Sequence, residues 1–344
     1  MRSLPETLST EAELEEILTR PSSSVTETMS KLAGPLLILG AGGKMGPTLA
    51  HLARRAAQAA EANIEIIAVS RFTDSASRDW LESRGIRTIP CDLMRREQVN
   101  QLPDAPSICY LVGMKFGTSE RPSLTWAVNA IVPTHVCDRY PSSRFVALST
   151  GNVYGLSPAN QPGSREIDPV NAVGEYPNAA LARERIFEFC SESNSTPVAL
   201  VRLNYATELR YGVLVDIATL ILDGRPIDLT MGHLNCIWQG DANESILRLF
   251  AHATTPPTLF NLTGPKLSVR AIALRLGELM QKPVAFMGEE SDTALLADPG
   301  KIRSLLGEPT VPPETMLRWT AHWISSGGRS LGKPTHYQVR NGNY

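Results

Sequence analysis

No apolar stretch in this 344-residue chain is long enough to span a bilayer, so no membrane-crossing helix is expected. Acidic residues stand near the start, where a secretory signal wants a basic start and an apolar run. Cysteine is sparse and scattered: Cys91, Cys109, Cys137, Cys190 and Cys236 occur singly, with no CxxC and no Cys/His cluster. An odd, dispersed set argues against structural zinc or another bound metal and fits a reducing cytoplasm. Charge of one sign is not in excess either. A formal net charge of −2 gives no reason to expect nucleic acid or an anionic membrane surface as a partner. Internal repeats and low-complexity tracts are absent. What remains is ordinary, 42% hydrophobic and 20% charged residues, in a chain long enough for one large α/β domain, or one plus a smaller lobe.

What is present is organised around Leu36-Leu37-Ile38-Leu39-Gly40-Ala41-Gly42-Gly43-Lys44-Met45-Gly46. A short apolar run reads as a buried strand and stops at a glycine-rich turn in which Gly40, Gly43 and Gly46 are spaced GxxGxxG. Pro47 to Ala60 then has the composition of a helix. Strand, glycine turn and helix in that order predict a dinucleotide cradle. The turn lets backbone N–H groups approach a pyrophosphate, and the helix N-terminus adds about half a positive charge. A purely structural tight turn is the alternative. Lys44 and Met45 lie in the same turn, with Lys44 either on a phosphate or in solvent.

Ahead of this, Met1 to Lys31 reads as an appendage of two short helices, packed on the body or on another subunit. The first is capped at Ser9-Thr10 and broken at Pro21; the second runs from Val25 to Leu32. After it, strands are expected at Ile64–Val69, Ile86–Ile89, Ser107–Val112 and Arg144–Leu148, alternating with helices. That alternation predicts a doubly wound parallel sheet with ligands at the C-terminal strand ends. The second strand ends in Ser70-Arg71 rather than in the acid that usually binds a ribose 2′-OH, and Asp74 comes only later. The cofactor reading is therefore NADP(H) over NAD, unless Arg71 is a solvated loop residue. Cys91-Asp92-Leu93 closes the third strand, with Asp92 at the adenine edge or capping the next helix. Lys115 and the stretch Ser149-Thr150-Gly151-Asn152-Val153-Tyr154-Gly155 fall on the binding rim.

The glycine turn, Asp92, Asn129 in its helix, Ser149 to Gly155, and Tyr176 ahead of a helix together resemble an extended short-chain dehydrogenase/reductase of the NAD(P)-dependent sugar epimerase/dehydratase type. The resemblance runs from about Pro35 to Ile324. Leu200 to Tyr205, Gly224 to Ile227, Trp238 to Asn243 and Phe260 to Gly264 follow in the expected order. It implies a Rossmann-type α/β fold with a smaller C-terminal α/β substrate lobe. The expected division is 1–33 as an N-terminal helical arm, 34–203 as the NAD(P)-binding domain with return segments near 236–263, 204–325 as the substrate-binding lobe, and 326–344 as a tail. The tail, from Gly327, is basic, Gly-rich and aperiodic, folding over a subunit edge or staying mobile.

The resemblance also implies a chemistry. A Ser/Thr orients the substrate oxygen, a Tyr moves a proton at it, and a Lys four residues on holds the nicotinamide ribose and lowers the phenol pKa. Carried over, Ser149 takes the first role, with Thr150 as its rival, and Tyr176 takes the second. The lysine is missing: Ala180 stands in its place, while Leu181, Ala182, Glu184 and Arg185 keep the register. An unassisted tyrosine titrates near about 10. Two cations are candidates to replace the lysine. Lys115 is on the same rim. Its long stem could reach the nicotinamide ribose or the tyrosine, and it is the favoured replacement unless it is an exposed loop lysine. Arg183 is seven residues beyond Tyr176, ~10 Å along the helix, on the right face but too far to contact the phenol.

Asn152, Tyr205, Arg210 and His233 are candidates to line the substrate site, with Arg202, Tyr211, Asn235 and Trp238 as further polar or aromatic residues of that lobe. The leading expectation is an NAD(P)-dependent oxidoreductase or epimerase acting on a hydroxyl or keto group of a sugar-like or sugar-acid substrate. A dehydratase is disfavoured because Gly151-Asn152 stands where an Asp-Glu pair is usual. A catalytically impaired NAD(P)-binding sensor and a bare scaffold are the alternatives. By the same resemblance, a homodimer would pair through helices spanning roughly Pro122–Tyr140 and Tyr176–Ser191.

Overall fold

The structure, a computed structural model, describes residues 4–115, 117–118 and 120–342. Phe116, in the stretch after the fourth strand, and the last two residues of the tail lie outside them. Seven described strands form one parallel sheet: β1 (Leu36–Leu39), β2 (Ile66–Ser70), β3 (Arg87–Pro90), β4 (Ser107–Tyr110), β5 (Arg144–Thr150), β6 (Val198–Leu203) and β7 (Thr258–Leu262). They lie in the order β3-β2-β1-β4-β5-β6-β7. The order turns back between β1 and β4, and in a doubly wound sheet that is where a ligand crevice opens.

The sheet is apolar on both faces because helices cover both. Leu36 and Ile38 of β1 point into one core, with Leu49, Leu52 and Ala53 of α3 (Gly46–Ala59). Leu37 and Leu39 point into the other. That alternation is the period of two expected of a strand. α4 (Ser75–Glu82) and α5 (Arg96–Asn100) follow β2 and β3. The second face is closed by Val132 and Val136 of α6 (Pro122–Arg139) and Phe187 of α7 (Glu175–Asn194).

A further core gathers α8 (Val213–Leu222), α10 (Val269–Met280) and α12 (Pro313–Ser325) around Trp319, whose ring meets Trp238 edge-on at 5.2 Å between centroids. α9 (Gln239–Arg248) returns to the sheet, and α11 (Gly300–Leu306) leans on β7. The two N-terminal helices are divided between the cores. α1 (Glu11–Thr19), held by a Thr10–Glu13 capping box, sends Leu14 and Leu18 into the α8/α10/α12 core. α2 (Ser23–Lys31) sends Val25 and Met29 into the sheet core. Among the described residues no helix is long and apolar enough to cross a membrane.

The strands expected at Ile64–Val69 and Ile86–Ile89 are each shifted by one or two residues, and the limits of the next two differ in ways that matter for the site. β5 runs on to Thr150 because Ser149 and Thr150 pair with Arg202 and Leu203 of β6, so both residues end a strand rather than open a loop. β4 stops at Tyr110, leaving Leu111 to Lys115 outside the sheet.

Candidate functional site

The glycine turn after β1 meets the start of α3 without any side-chain cap on that helix. Gly46 has no room for more: a Cβ there would lie 2.4 Å from the Ala41 carbonyl oxygen and 2.5 Å from its Cα. Helix and turn therefore touch backbone to backbone, and the helix begins with no side chain capping its first-turn N–H groups, the kind of terminus that suits a pyrophosphate.

One cavity of about 350 Å³ lies at this point. Its wall brings together Gly40, Gly43, Lys44, Met45 and Gly46 from the turn, Lys115 from beyond β4, Ser149 and Thr150 from the end of β5, Asn152 from the turn after it, Tyr176 from α7, and Tyr205 and Tyr211 after β6. Twelve residues singled out in the sequence, scattered from 40 to 211, thus share one wall.

The others are elsewhere. Ser70 supports the turn from below, its Oγ 2.7 Å from where a Gly42 Cβ would be. Arg71 and Asp92 line a separate hollow at the ends of β2 and β3, with Gln98 and Gln101. There Asp92 Oδ1 accepts from the Met94 N–H at 3.1 Å, so the carboxylate braces its own turn. Leu93 is buried in the core of the second sheet face. Arg210 is held by Glu208 and Glu11, in a hollow shared with Asp216 and the tail. His233 sits on a small strand paired with Lys266–Ser268. The structure does not bring Arg210 or His233 into the cavity wall.

The polar chemistry of the wall divides into two groups. Ser149 Oγ donates to the Glu184 carboxylate. Glu184, fully buried, is gripped in turn by Arg202, Nε to Oε1 at 3.0 Å and Nη2 to Oε2 at 2.7 Å. With its proton committed inward, Ser149 offers the cavity only lone pairs. Thr150 is the hydroxyl bonded to the Tyr176 side chain. Burial pushes the Tyr176 phenol above the usual tyrosine range, and the Arg183 charge and the Thr150 hydrogen bond pull the other way.

The second group is cationic. Lys44 lies 3.3 Å from the centre of the Tyr211 ring, and Lys115 lies 5.4 Å from that of Tyr205. Burial, followed by the charge of Lys115, pushes Lys44 down to about 7. Burial pushes Lys115 down to about 8, with Asp216 acting oppositely.

Ala180 occupies the lysine position of the resemblance. It is fully buried among Val153, Tyr154 and Ala297. A lysine there would have to displace that packing.

The wall also contains residues that the sequence did not single out. Gln239, at the start of α9, donates to Thr48 Oγ1 at 3.0 Å. Thr335 comes from the tail, where its N–H and hydroxyl both donate to Asp216. The aperiodic tail carried no signal for this; only tertiary packing brings it to the cavity.

Residues 36–206 match the model of the NAD dependent epimerase/dehydratase family. An epimerase structure from Methanothermobacter thermautotrophicus is similar, with TM-score 0.73 and 17% identity over 89% of this chain and 96% of that one. UDP-glucuronic acid 4-epimerase from Bacillus cereus, solved with NAD, matches with TM-score 0.71 and 15% identity over 84% and 96%. DesIV, the dTDP-glucose 4,6-dehydratase of Streptomyces venezuelae solved with NAD and TYD, matches with TM-score 0.71 and 18% identity over 84% and 96%. At these identities the likeness is one of fold. No curated protein sequence matches the chain.

Proposed function

The chain belongs to the NAD dependent epimerase/dehydratase family through residues 36–206, and on that premise we propose that it binds a nicotinamide dinucleotide and works on a hydroxyl or keto carbon of a sugar-like small molecule. One observation carries the reading: the glycine turn, the β5 hydroxyls and Tyr176 line the same cavity. The residues present fit the cofactor, because the Gly46–Ala41 approach opens a cradle that a Cβ would fill. The turn and Lys44 would hold the pyrophosphate, and the hollow at Arg71 would take the adenosine end. Asp74 is occupied as the N-cap of α4, accepting from the Ala76 N–H at 3.0 Å, so NADP(H) over NAD rests on Arg71. When bound, the dinucleotide supplies the hydride acceptor or donor.

The chain's own part is proton handling. Tyr176 gives or takes the proton at the substrate oxygen, and Thr150, its hydrogen-bond partner, orients that oxygen. Ser149 accepts from a neighbouring ligand donor. Five free, buried cysteines fit a reducing cytoplasm as the place of work.

The first test is calorimetric titration with NAD⁺, NADH, NADP⁺ and NADPH, with Arg71→Ala beside the wild type. Binding of a dinucleotide, with the phosphorylated forms weakened by Arg71→Ala, is expected. Absence of binding of all four would overturn the reading. The apolar packing of Ala180 favours a second reading, a sensor of the same fold that binds the dinucleotide and turns nothing over. Tyr176→Phe separates the two: it abolishes turnover in an enzyme and leaves a sensor's binding unchanged. Ala180→Lys is the poorer probe, since it would overpack a filled site.

A further inference from the structure

We propose that Arg183 is the cation that serves Tyr176 in place of the lysine its helix lacks at position 180. This rests on the reading of Tyr176 as the acid/base group, and it makes Arg183 a positioning residue that acts through the phenol.

The argument begins with helix geometry. Side chains on an α-helix lean toward its N-terminus, so an arginine seven residues after Tyr176 reaches back over the intervening two turns. Backbone spacing alone overstates the separation. Arg183 is 4% exposed, and its Nη1 donates to the Val112 carbonyl at 2.7 Å and to Asn129 Oδ1 at 2.9 Å. Val112 immediately precedes Gly113, which lines the cavity with Tyr176. A Cβ on Gly113 would lie 2.5 Å from Arg183 Nη1, so the guanidinium lies directly beneath the cavity floor and needs a glycine above it.

Both acceptors are neutral. The adjacent Glu184, which might have cancelled the charge, is taken by Arg202. Arg183 Nε is buried without an acceptor among the described residues. A buried guanidinium held, among the described residues, by neutral groups is costly to maintain, which is expected where the charge has a task.

The surroundings of Tyr176 show where the charge acts. Arg183 lowers the phenol of Tyr176 and also that of Tyr110. Tyr211 lines the same cavity as Tyr176. Lys44 and Lys115 share the cavity wall; Lys44 feels the charges of Lys115, Lys333 and Asp216, and Lys115 that of Asp216. Glu184 and Arg202 stand behind Ser149 as a closed pair.

The experiment places a fluorinated tyrosine at position 176, which brings the phenol's titration into an accessible range, and follows it by ¹⁹F NMR. Arg183→Met is expected to raise the midpoint by about one pH unit. Arg183→Lys is expected to restore most of the difference, and Lys115→Met to leave the midpoint in place. An unmoved midpoint in Arg183→Met, or an equal shift in Lys115→Met, overturns the inference. Should circular dichroism show Arg183→Met unfolded, Gly113→Ala displaces the guanidinium while keeping the arginine. It must then raise the midpoint, and no rise overturns the proposal. Dinucleotide titration of the same samples keeps the two ideas apart. A protein that binds dinucleotide but shows no dependence on Arg183 loses this inference alone. One that binds none loses the functional reading, whatever the midpoint does.

Discussion

Lys44 and Lys115 are two like charges in one cavity wall, and each is pushed below the usual lysine range, to about 7 and about 8. A lysine whose folded pKa lies below its unfolded value of 10.5 binds fewer protons in the native state than in the unfolded chain. The stability linked to it is therefore complete only above the unfolded value and is lost as pH falls toward the folded one. Between about pH 7.5 and 9.5 the unfolding free energy is expected to rise with pH, and Lys44→Met should flatten that rise. Urea unfolding of both proteins across the window measures it. A rise of equal slope in the variant would contradict the assignment. The sequence leaves Lys44 between phosphate and solvent; the structure puts it over Tyr211, 167 residues further on. Nothing local in the turn encodes that partner.

At the scale of elements, the strand–turn–helix unit of β1 and α3 was legible because its signals are local. An apolar run, three glycines and a run of alanines and leucines need no distant partner to be read. The packing shows why the last glycine is required: a larger residue at 46 meets the Ala41 backbone rather than a movable side chain. Gly46→Val is thus expected to abolish dinucleotide binding in calorimetry and to cost stability, whereas Gly43→Ala, whose Cβ meets Gly40 O at 3.3 Å, should be milder. Comparable losses from both would argue against a backbone-to-backbone cradle. The end of β5 was not legible in the same way. Ser149 and Thr150 look like the start of a loop until β6 arrives to pair with them, and that pairing sends one hydroxyl to Glu184 and leaves the other for Tyr176.

For the whole molecule, the outer faces of α6 and α7 leave Trp126, Ile131 and Phe189 exposed, Phe189 at 69%. We expect a homodimer through these helices. Phe189→Asp should shift the mass seen by light scattering at micromolar concentration to that of one chain; a wild type already monomeric there would remove the expectation. The N-terminal helices belong at this scale too. α1 and α2 look like an appendage in the sequence because they precede the first strand, yet their apolar residues enter both cores.

The sequence by itself determined the parallel α/β architecture, the dinucleotide-type turn and the shortlist of hydroxyls and phenol. The first two follow from hydrophobic period and glycine spacing within short windows, and the shortlist follows from the family resemblance that those windows carry. Only the tertiary structure decided that Thr150 rather than Ser149 bonds the Tyr176 side chain, that Thr335 of the tail completes the wall, and that the Arg183 guanidinium lies against Gly113 of that wall. Each of these depends on side-chain direction and on contacts between segments far apart in the chain. A one-dimensional pattern does not carry that information, because the same residues at the same spacing pack differently according to what is folded against them.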